Sequence, residues 1–171
     1  MRLFVALAVP EAVAGQIVAL QEMLGTGRLV PEENLHLTLA FLGDVAGADL
    51  ADLDLALADL RSPAPMVELA GIDLWDEALV IGVRANPVLE ALARKVAVAV
   101  RGVVEMPRRR FRPHVTLARV RPGDAVRVGR FLSARADAVL TPFAAEGFTL
   151  YRSHLRAEGP LYEPLAEYPL G

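Results

Sequence analysis

The chain has 171 residues, of which 54% are hydrophobic and 23% charged, and its formal net charge is −3. This composition is typical of one well-packed soluble domain over residues 1–171 and excludes a disordered chain. Cysteine is absent and Lys95 is the only lysine, which excludes disulfides, thiolate metal sites and cysteine nucleophiles and leaves no candidate for a Walker-type phosphate lysine. No apolar run approaches the roughly 20 residues of a bilayer span, and no signal-peptide core follows Met1. We therefore expect a cytoplasmic protein with no membrane partner.

Hydrophobic periodicity predicts strands and helices in alternation through the first half of the chain. Residues 2–9 alternate as a strand does, and a helix is expected from Pro10 to about residue 24, ended by nearby glycines. A second strand is predicted over 34–42. Leucines three and four residues apart then mark a helix over 50–60, and the Pro-rich stretch 62–65 breaks it.

The second half shows a related order. In chain order we predict a hairpin of two strands at 66–74 and 78–84, a helix from Asn86-Pro87 to about Val100, a strand at 113–120, a short helix around 126–131, a last pair of strands within 136–152, and an irregular tail.

Charge is distributed unevenly along the chain. The first half is acidic, whereas nine arginines lie between residues 108 and 135, opposed only by Asp124. These are Arg108, Arg109, Arg110, Arg112, Arg119, Arg121, Arg127, Arg130 and Arg135. Such a cluster indicates either a positive surface that attracts a polyanion or a solvated arginine-rich loop. The sequence leaves both interpretations open.

Two segments near the middle of each half share the pattern His-aliphatic-Thr-Leu. They begin at His36 and His114 and are offset by 114 − 36 = 78 residues, close to half of the chain. This self-similarity indicates an internal repeat. We expect two similar lobes, each of which contributes one motif strand.

The chemistry of the repeated motif follows from strand geometry. Side chains alternate faces along a strand, so His36 projects with Thr38, and His114 projects with Thr116. If the two strands lie side by side, two imidazoles and two hydroxyls converge on one cleft. Neutral imidazole accepts a proton, imidazolium donates one, and threonine hydroxyls bind phosphate oxygens. From residue chemistry alone, either histidine could be the acid or the base.

The remaining polar and aromatic residues give weaker indications. His154 has no Thr partner and is expected in a turn, exposed to solvent. Neither motif has the further Asp, Glu or His that a metal site needs, so we expect no metal and no cofactor. Phe41, Phe111 and Tyr151 either stack on a nucleobase or pack in the core.

The extended motifs resemble a known family, the RNA 2′,3′-cyclic phosphodiesterases, historically called bacterial and archaeal 2′-5′ RNA ligases, of the two-histidine phosphoesterase superfamily. The resemblance covers nearly the whole chain. It is carried by Met1-Arg2-Leu3-Phe4-Val5-Ala6, by Pro31-Glu32-Glu33-Asn34-Leu35-His36-Leu37-Thr38-Leu39-Ala40-Phe41-Leu42-Gly43, by Phe111-Arg112-Pro113-His114-Val115-Thr116-Leu117-Ala118-Arg119, and by Leu150-Tyr151-Arg152-Ser153 with Gly159 and Tyr162. Leu29 departs from the family, which often has Trp there.

The resemblance implies an α+β fold with two pseudo-symmetric lobes, each with an antiparallel sheet and outer helices, around a central cleft. It also implies metal-independent hydrolysis of RNA 2′,3′-cyclic phosphate ends to 2′-phosphomonoesters. By this analogy His114 is the general base and His36 the general acid. Thr38 and Thr116 hold the phosphate, and Arg119 neutralises the charge that develops on it. We expect a monomer.

Two questions stay open at this level. Arg119 lies five residues after His114, an odd offset, so a regular strand would point it away from the cleft and only a bulge or the strand's end would turn it inward. The same acid, base and phosphate ligands would also serve an RNA ligase that joins a 2′,3′-cyclic phosphate to a 5′-hydroxyl. A non-catalytic RNA-end binder is the third hypothesis, although paired acid–base groups argue against it.

Overall fold

The protein is an α+β structure of ten strands and four helices, and the computed structural model describes residues 1–171. The strands are β1 Arg2–Ala8, β2 Arg28–Leu29, β3 His36–Asp44, β4 Met66–Val67, β5 Leu69–Trp75, β6 Ala78–Val83, β7 His114–Arg119, β8 Phe143–Ala144, β9 Gly147–His154 and β10 Leu161–Pro169. The helices are α1 Glu11–Leu24, α2 Leu50–Ala58, α3 Pro87–Arg101 and α4 Ala125–Arg135.

Eight of the strands form one antiparallel sheet in which the two motif strands are central neighbours. Its order is β10-β9-β1-β3-β7-β6-β5, and β2 pairs with β7 beside this path. The motif strands β3 and β7 are joined at a single pair, Leu37 with Val115. Beyond that pair the two motif strands diverge, and β2 fills the gap between them. Strands β3 and β2 pair with one edge of β7, and β6 pairs with its other edge. The sheet therefore consists of two halves that are joined at the motif strands.

The two lobes do not correspond to the two halves of the chain. Helix α3 packs against β3 and α2, whereas α1 packs against β7 and α4. The C-terminal strands β9 and β10 complete the half-sheet that begins with β1. A single cluster of 38 buried residues runs through both halves of the sheet. Each lobe thus takes elements from both ends of the sequence.

The expectation of an irregular C-terminal tail was wrong. Residues 161–169 form β10, which pairs with β9 although it contains Pro164 and Pro169. Proline cannot donate to a strand ladder, but β10 is the edge strand, and the register shifts by one residue just after Pro164. Prolines on an exposed edge also hinder pairing with other chains.

The signals at helix ends are confirmed. Gly25 follows α1 in the left-handed region at φ 65°, where glycine has no steric penalty. The side chain of Asn86 accepts a hydrogen bond of 3.0 Å from the backbone N–H of Leu89 at the start of α3. None of the four helices is long and apolar enough to cross a membrane.

Candidate active site

The register of the motif strands brings the four motif side chains together. Because β3 and β7 are antiparallel and Leu37 pairs with Val115, His36 lies opposite Thr116, and Thr38 lies opposite His114. The paired residues Leu37 and Val115 are buried on the other face of the sheet. All four polar side chains line the same cavity. Each histidine therefore has the threonine of the other motif as its cross-strand neighbour.

Backbone carbonyls hold both imidazoles in the same tautomer. The Nδ1 atom of His36 lies 2.7 Å from the carbonyl oxygen of Asn34, and the Nδ1 atom of His114 lies 2.7 Å from that of Arg112. A carbonyl oxygen only accepts, so Nδ1 carries the hydrogen in each ring. The Nε2 atom of each ring is then free to accept or donate a proton at a ligand in the cleft.

A β-bulge turns Arg119 toward the cleft. Thr116 and Ala118 pair with consecutive residues of β6, which leaves Leu117 as an extra residue in β7. The extra residue reverses the alternation of faces, so Leu117 and Ala118 are both buried and Arg119 is exposed again on the face of the histidine. Arg119 lines the same cavity as the motif side chains.

The same bulge occurs at the equivalent position of the first motif. Thr38 and Ala40 pair with consecutive residues of β1, which leaves Leu39 as the extra residue in β3. Phe41, five residues after its histidine like Arg119, therefore faces the cleft and is 51% exposed. Phe41 and Arg119 are pseudo-symmetric partners, and the cleft presents an aromatic ring on one lobe and a guanidinium on the other.

Gln21 supports the bulge that orients Arg119, and sequence reasoning did not single it out. Its buried side-chain amide donates 2.8 Å and 2.9 Å hydrogen bonds to the backbone carbonyls of Val30 and Leu117. The backbone N–H of Val30 also donates to the carbonyl of Leu117. The bulge residue and the segment after β2 are thereby tied to α1. The only available sequence signal was a glutamine on the apolar face of α1.

Different aromatic residues surround the two histidines. The ring of His36 lies 5.1 Å from Phe4 and 5.1 Å from Tyr162, measured between centroids. Burial is the largest cause of a lowered pKa at His36, with a smaller lowering by His114 and an opposing contribution from the hydrogen bond to Asn34. The neutral imidazole is therefore favoured at this position in the ligand-free protein.

The aromatic neighbour of His114 is Trp75. Its ring lies 4.7 Å from the imidazole in an edge-to-face arrangement, and the guanidinium of Arg112 lies 3.8 Å from the centre of the indole. Leu29, at the position where the family often has Trp, lines the cleft at a different point, opposite Ala118. No pattern in the sequence indicated that Trp75 or Tyr162 would lie beside a histidine of the His-x-Thr motifs.

The arginine-rich segment is divided between two parts of the molecule. Arg109 lies in the loop before β7, with its guanidinium 6.0 Å from the ring of Phe41 at the cleft. Arg127, by contrast, lies on α4 and donates to the carbonyl of Gly25. His154 ends β9, where its Nε2 atom lies 2.7 Å from a carboxylate oxygen of Glu163, so it is a strand residue and not the turn residue expected.

The cavity lined by the four motif side chains and Arg119 has a volume of about 390 Å³. It is lined by Arg2, Arg28, Leu29, Val30, Pro31, Asn34, His36, Thr38, Phe41, His114, Thr116, Arg119, Glu158, Gly159, Pro160 and Tyr162. No group of three or more His, Asp or Glu side chains in the structure is arranged to hold a metal ion. The available chemistry at the cleft is proton transfer by two imidazoles beside hydroxyl and guanidinium donors.

Two pseudo-symmetric lobes with one His-x-Thr strand each, facing a common cleft, define the class of two-histidine phosphoesterases. A family model described as LigT-like phosphoesterase matches the chain twice, over residues 7–85 and 81–162, in agreement with the repeat. The chain belongs to this LigT-like phosphoesterase family.

Similar proteins span the full length of the chain. The RNA 2′,3′-cyclic phosphodiesterase of Thermus thermophilus is 34% identical and covers 99% of this chain and 90% of its own. That of Methanocaldococcus jannaschii is 29% identical over 98% of this chain and all of its own. The crystal structure of Escherichia coli LigT complexed with 3′-AMP superposes with a TM-score of 0.81 at 28% identity and covers 99% of this chain and 96% of its own.

Proposed function

We propose that this protein hydrolyses RNA 2′,3′-cyclic phosphate ends to 2′-phosphomonoesters without a metal. The observation that carries the proposal is the pair of imidazoles in one cleft, each with Nδ1 bonded to a carbonyl and Nε2 available to a ligand. One acid and one base on opposite lobes suit attack on phosphorus from one side and departure of an oxygen on the other. Relatives across bacteria and archaea named for this activity support it.

The proton transfers follow from the two positions. His114 accepts a proton from water as the water oxygen bonds to phosphorus. The bond from phosphorus to O3′ breaks, and O3′ takes a proton from the imidazolium of His36. The product carries a 2′-phosphomonoester and a 3′-hydroxyl, with His36 neutral and His114 protonated, and exchange with solvent restores the starting state. The assignment of acid and base rests on resemblance to the family.

The lowered pKa of His36 fits a proton that is taken up together with the substrate. Burial makes the imidazolium of His36 unfavourable in the empty cleft. A bound phosphate anion offsets that cost because an opposite charge favours the protonated ring. The acid is thus charged mainly when a phosphate is present, and its low intrinsic basicity favours donation to the leaving oxygen.

Hydroxyl and guanidinium groups complete the phosphate site. Thr38 and Thr116 flank the histidines on the cleft face and present their hydroxyls to the nonbridging oxygens. Arg119, turned inward by its bulge, offers a planar fork of donors to the same oxygens. These donors stabilise the extra negative charge of the transition state.

The exposed ring of Phe41 supports a nucleotide substrate. It offers a flat face beside the phosphate site, and bases stack on aromatic side chains in many complexes with single-stranded RNA. The complex of E. coli LigT with 3′-AMP supports a nucleotide in this cleft. Cytoplasmic location and a monomeric state remain predictions.

One incubation separates the candidate functions. Purified protein is mixed with a short RNA that ends in a 2′,3′-cyclic phosphate, in EDTA, and the ends and lengths of the products are determined. Loss of the cyclic end at constant length supports hydrolysis. A longer product supports the 2′-5′ ligase, which uses the same groups with a ribose hydroxyl in place of water. RNA that is bound but unchanged would contradict both reactions and support the end-binding protein.

The pH dependence tests the mechanism itself. Because one imidazole must be neutral and the other charged, kcat/KM should be bell-shaped against pH and unchanged by chelator. An enzyme that uses a metal-bound hydroxide would instead lose activity in EDTA and recover it when the metal ion is added. A monotonic rise with pH together with chelator sensitivity would overturn the two-histidine mechanism.

A further inference from the structure

The cleft holds more positive charge than one cyclic phosphodiester needs. Arg2, Arg28 and Arg119 all line the cavity. The two ion pairs of the structure are Arg84 with Glu68 and His154 with Glu163, so none of the three cleft arginines is paired with a carboxylate. A cyclic phosphate carries one negative charge, and Arg119 together with the motif groups already accounts for it. Glu158 also lines the cavity and Asp44 lies opposite Arg2 in the β1–β3 ladder, but neither carboxylate forms an ion pair with an arginine, so Arg2 and Arg28 have no ion-pair partner.

Arg28 is placed beside Arg119 by strand pairing. It lies directly opposite Arg119 in the β2–β7 ladder, so both side chains are on the cleft face. Like charges at directly opposed positions destabilise a sheet. An anion held by both side chains, or one anion for each, would offset this repulsion.

The backbone around Arg28 is built to hold the guanidinium in the cleft. Gln21 ties Val30 to the bulge of β7, which anchors β2. Gly159, in the loop between β9 and β10, leaves the space that the guanidinium of Arg28 uses, because a Cβ atom there would lie 2.8 Å from its Nη2 atom. The strand of Arg28 is therefore anchored through Gln21, and its guanidinium has room in the cleft at Gly159.

Arg2 approaches the same region from the other lobe. It precedes Phe4 by two residues on β1 and so shares the cleft face with it. Burial raises the pKa of Tyr162, and the nearby positive charges of Arg119 and Arg2 oppose that rise. Arg2 on β1 and Arg28 on β2 thus line the same cavity from opposite lobes.

We propose that Arg2 and Arg28 form a second phosphate subsite that binds the internucleotide phosphate on the 5′ side of the terminal nucleotide. This inference rests on the proposed function and predicts that the enzyme prefers oligoribonucleotides to nucleoside 2′,3′-cyclic phosphates. In an RNA chain the next phosphate is bonded to O5′ of the terminal nucleotide, so one ribose separates it from the cyclic phosphate. Arg28, on the strand next to that of Arg119, is suited to bind this second phosphate.

The kinetic test compares three substrates that differ only on the 5′ side: adenosine 2′,3′-cyclic phosphate, its 5′-phosphorylated form, and the dinucleotide ApA with a 2′,3′-cyclic end. For the wild type we expect kcat/KM to be about tenfold higher with a second phosphate, the effect of one charge-assisted contact. Arg28→Gln and Arg2→Gln should remove that preference and leave hydrolysis of the nucleoside substrate near the wild-type rate. Arg135→Gln on α4 makes the same change of charge outside the cavity and should keep the preference.

Each outcome has one interpretation. Equal losses on all three substrates would mean that Arg2 and Arg28 act on the cyclic phosphate itself, which overturns the subsite. A preference for the 5′-phosphorylated nucleoside but not for ApA would assign the subsite to a terminal monoester and overturn the internucleotide assignment. If none of the three cyclic phosphates were hydrolysed, the proposed function would be overturned, and the subsite would be judged by the binding measurement.

A binding measurement tests the subsite without turnover. Affinities of the wild type for adenosine 2′-monophosphate and adenosine 2′,5′-bisphosphate are compared by calorimetry. We expect the bisphosphate to bind about tenfold more tightly in a manner that requires Arg28 and weakens with salt. Equal affinities would contradict the second subsite whatever the catalytic result.

Discussion

In the proposed mechanism the two histidines carry the proton transfers, so their replacement should affect turnover much more than folding. We expect His36→Ala and His114→Ala each to lower turnover of a 2′,3′-cyclic phosphate RNA by about 10²-fold or more, the usual loss when a general acid or base is removed. Both side chains lie at the cleft and not in the hydrophobic core. Circular dichroism and thermal unfolding should show that the variants are folded. Near wild-type turnover in a folded variant would remove that histidine from the mechanism.

The lowered pKa of His36 also predicts a pH dependence of stability. The unfolded chain binds a proton at this histidine near the ordinary pKa of 6.5, whereas the folded protein binds it only at lower pH. The unfolded state therefore holds more protons in this window, and the free energy of unfolding should fall as pH is lowered below 6.5. This contribution is fully present above 6.5 and is lost as pH approaches the lowered pKa.

Denaturant unfolding between about pH 7.5 and about pH 5.5, on either side of the ordinary histidine pKa, measures this effect. His36→Gln should show a smaller loss of stability over the window than the wild type because it has no group to protonate there. Added inorganic phosphate should reduce the loss in the wild type, since an anion in the cleft favours the imidazolium. Identical slopes for the wild type and His36→Gln would show that burial of this ring is not linked to folding.

At the scale of elements, the β-bulges of the motif strands decide which side chains reach the cleft. In β7 the bulge is held by Gln21, and we expect Gln21→Leu to remove the donor of the part-buried carbonyl of Val30 at a cost of about 1 kcal/mol. Turnover should fall as well, because a loosened bulge no longer fixes Arg119 in the cleft. Chemical denaturation and steady-state kinetics measure the two effects.

Helix α1 supplies a matched control. The side-chain amide of Gln16 donates to the hydroxyl of Thr141 and accepts from its backbone N–H, but both bonds are exposed to solvent. Gln16→Leu should therefore change stability by no more than about 0.5 kcal/mol and leave turnover unaffected. If both glutamine variants behaved alike, the hydrogen bonds of Gln21 would not be what fixes the backbone geometry around Arg119.

At the scale of the whole molecule, the arginines of residues 108–135 are divided between the cleft and α4. Those in the loop before β7, where Arg109 lies beside Phe41 of the cleft, should contact RNA phosphates. Replacing Arg108, Arg109 and Arg110 with Gln should therefore weaken RNA binding and flatten its salt dependence. For single strands, each lost phosphate contact lowers the slope of log K against log salt by about 0.7. Fluorescence anisotropy at several salt concentrations gives the slope.

The control removes the same number of charges from the other part of the cluster. Replacing Arg127, Arg130 and Arg135 with Gln should leave the salt slope unchanged, since these residues lie on α4 and not in the loop that brings Arg109 beside Phe41. Equal effects of the two triple variants would indicate that RNA responds only to total charge. An unchanged slope in the first variant would indicate a solvated loop.

Local patterns in the sequence determined the elements and the chemistry of the motifs. The alternation of His36 and Thr38 with buried leucines, repeated 78 residues later, needs no tertiary information, because side-chain direction in a strand depends only on the backbone period. The ends of α1 and α3 were likewise readable from Gly25 and Asn86. Resemblance to the family added the roles of the two histidines.

Only the tertiary structure decided the direction of Arg119, which lies at an odd offset from His114, and of residues far from the motifs in sequence. The orientation of Arg119 depends on a bulge whose extra residue is visible only against the neighbouring strand. Arg28 reaches the cleft through pairing with β7, far along the chain, and Trp75 lies beside His114 because its hairpin partner β6 pairs with β7. Strand β10 forms despite two prolines because it lies at an edge. Strand periodicity is a property of neighbouring residues, whereas register, bulges and edges are properties of pairs of strands, and a single sequence contains no direct signal for them.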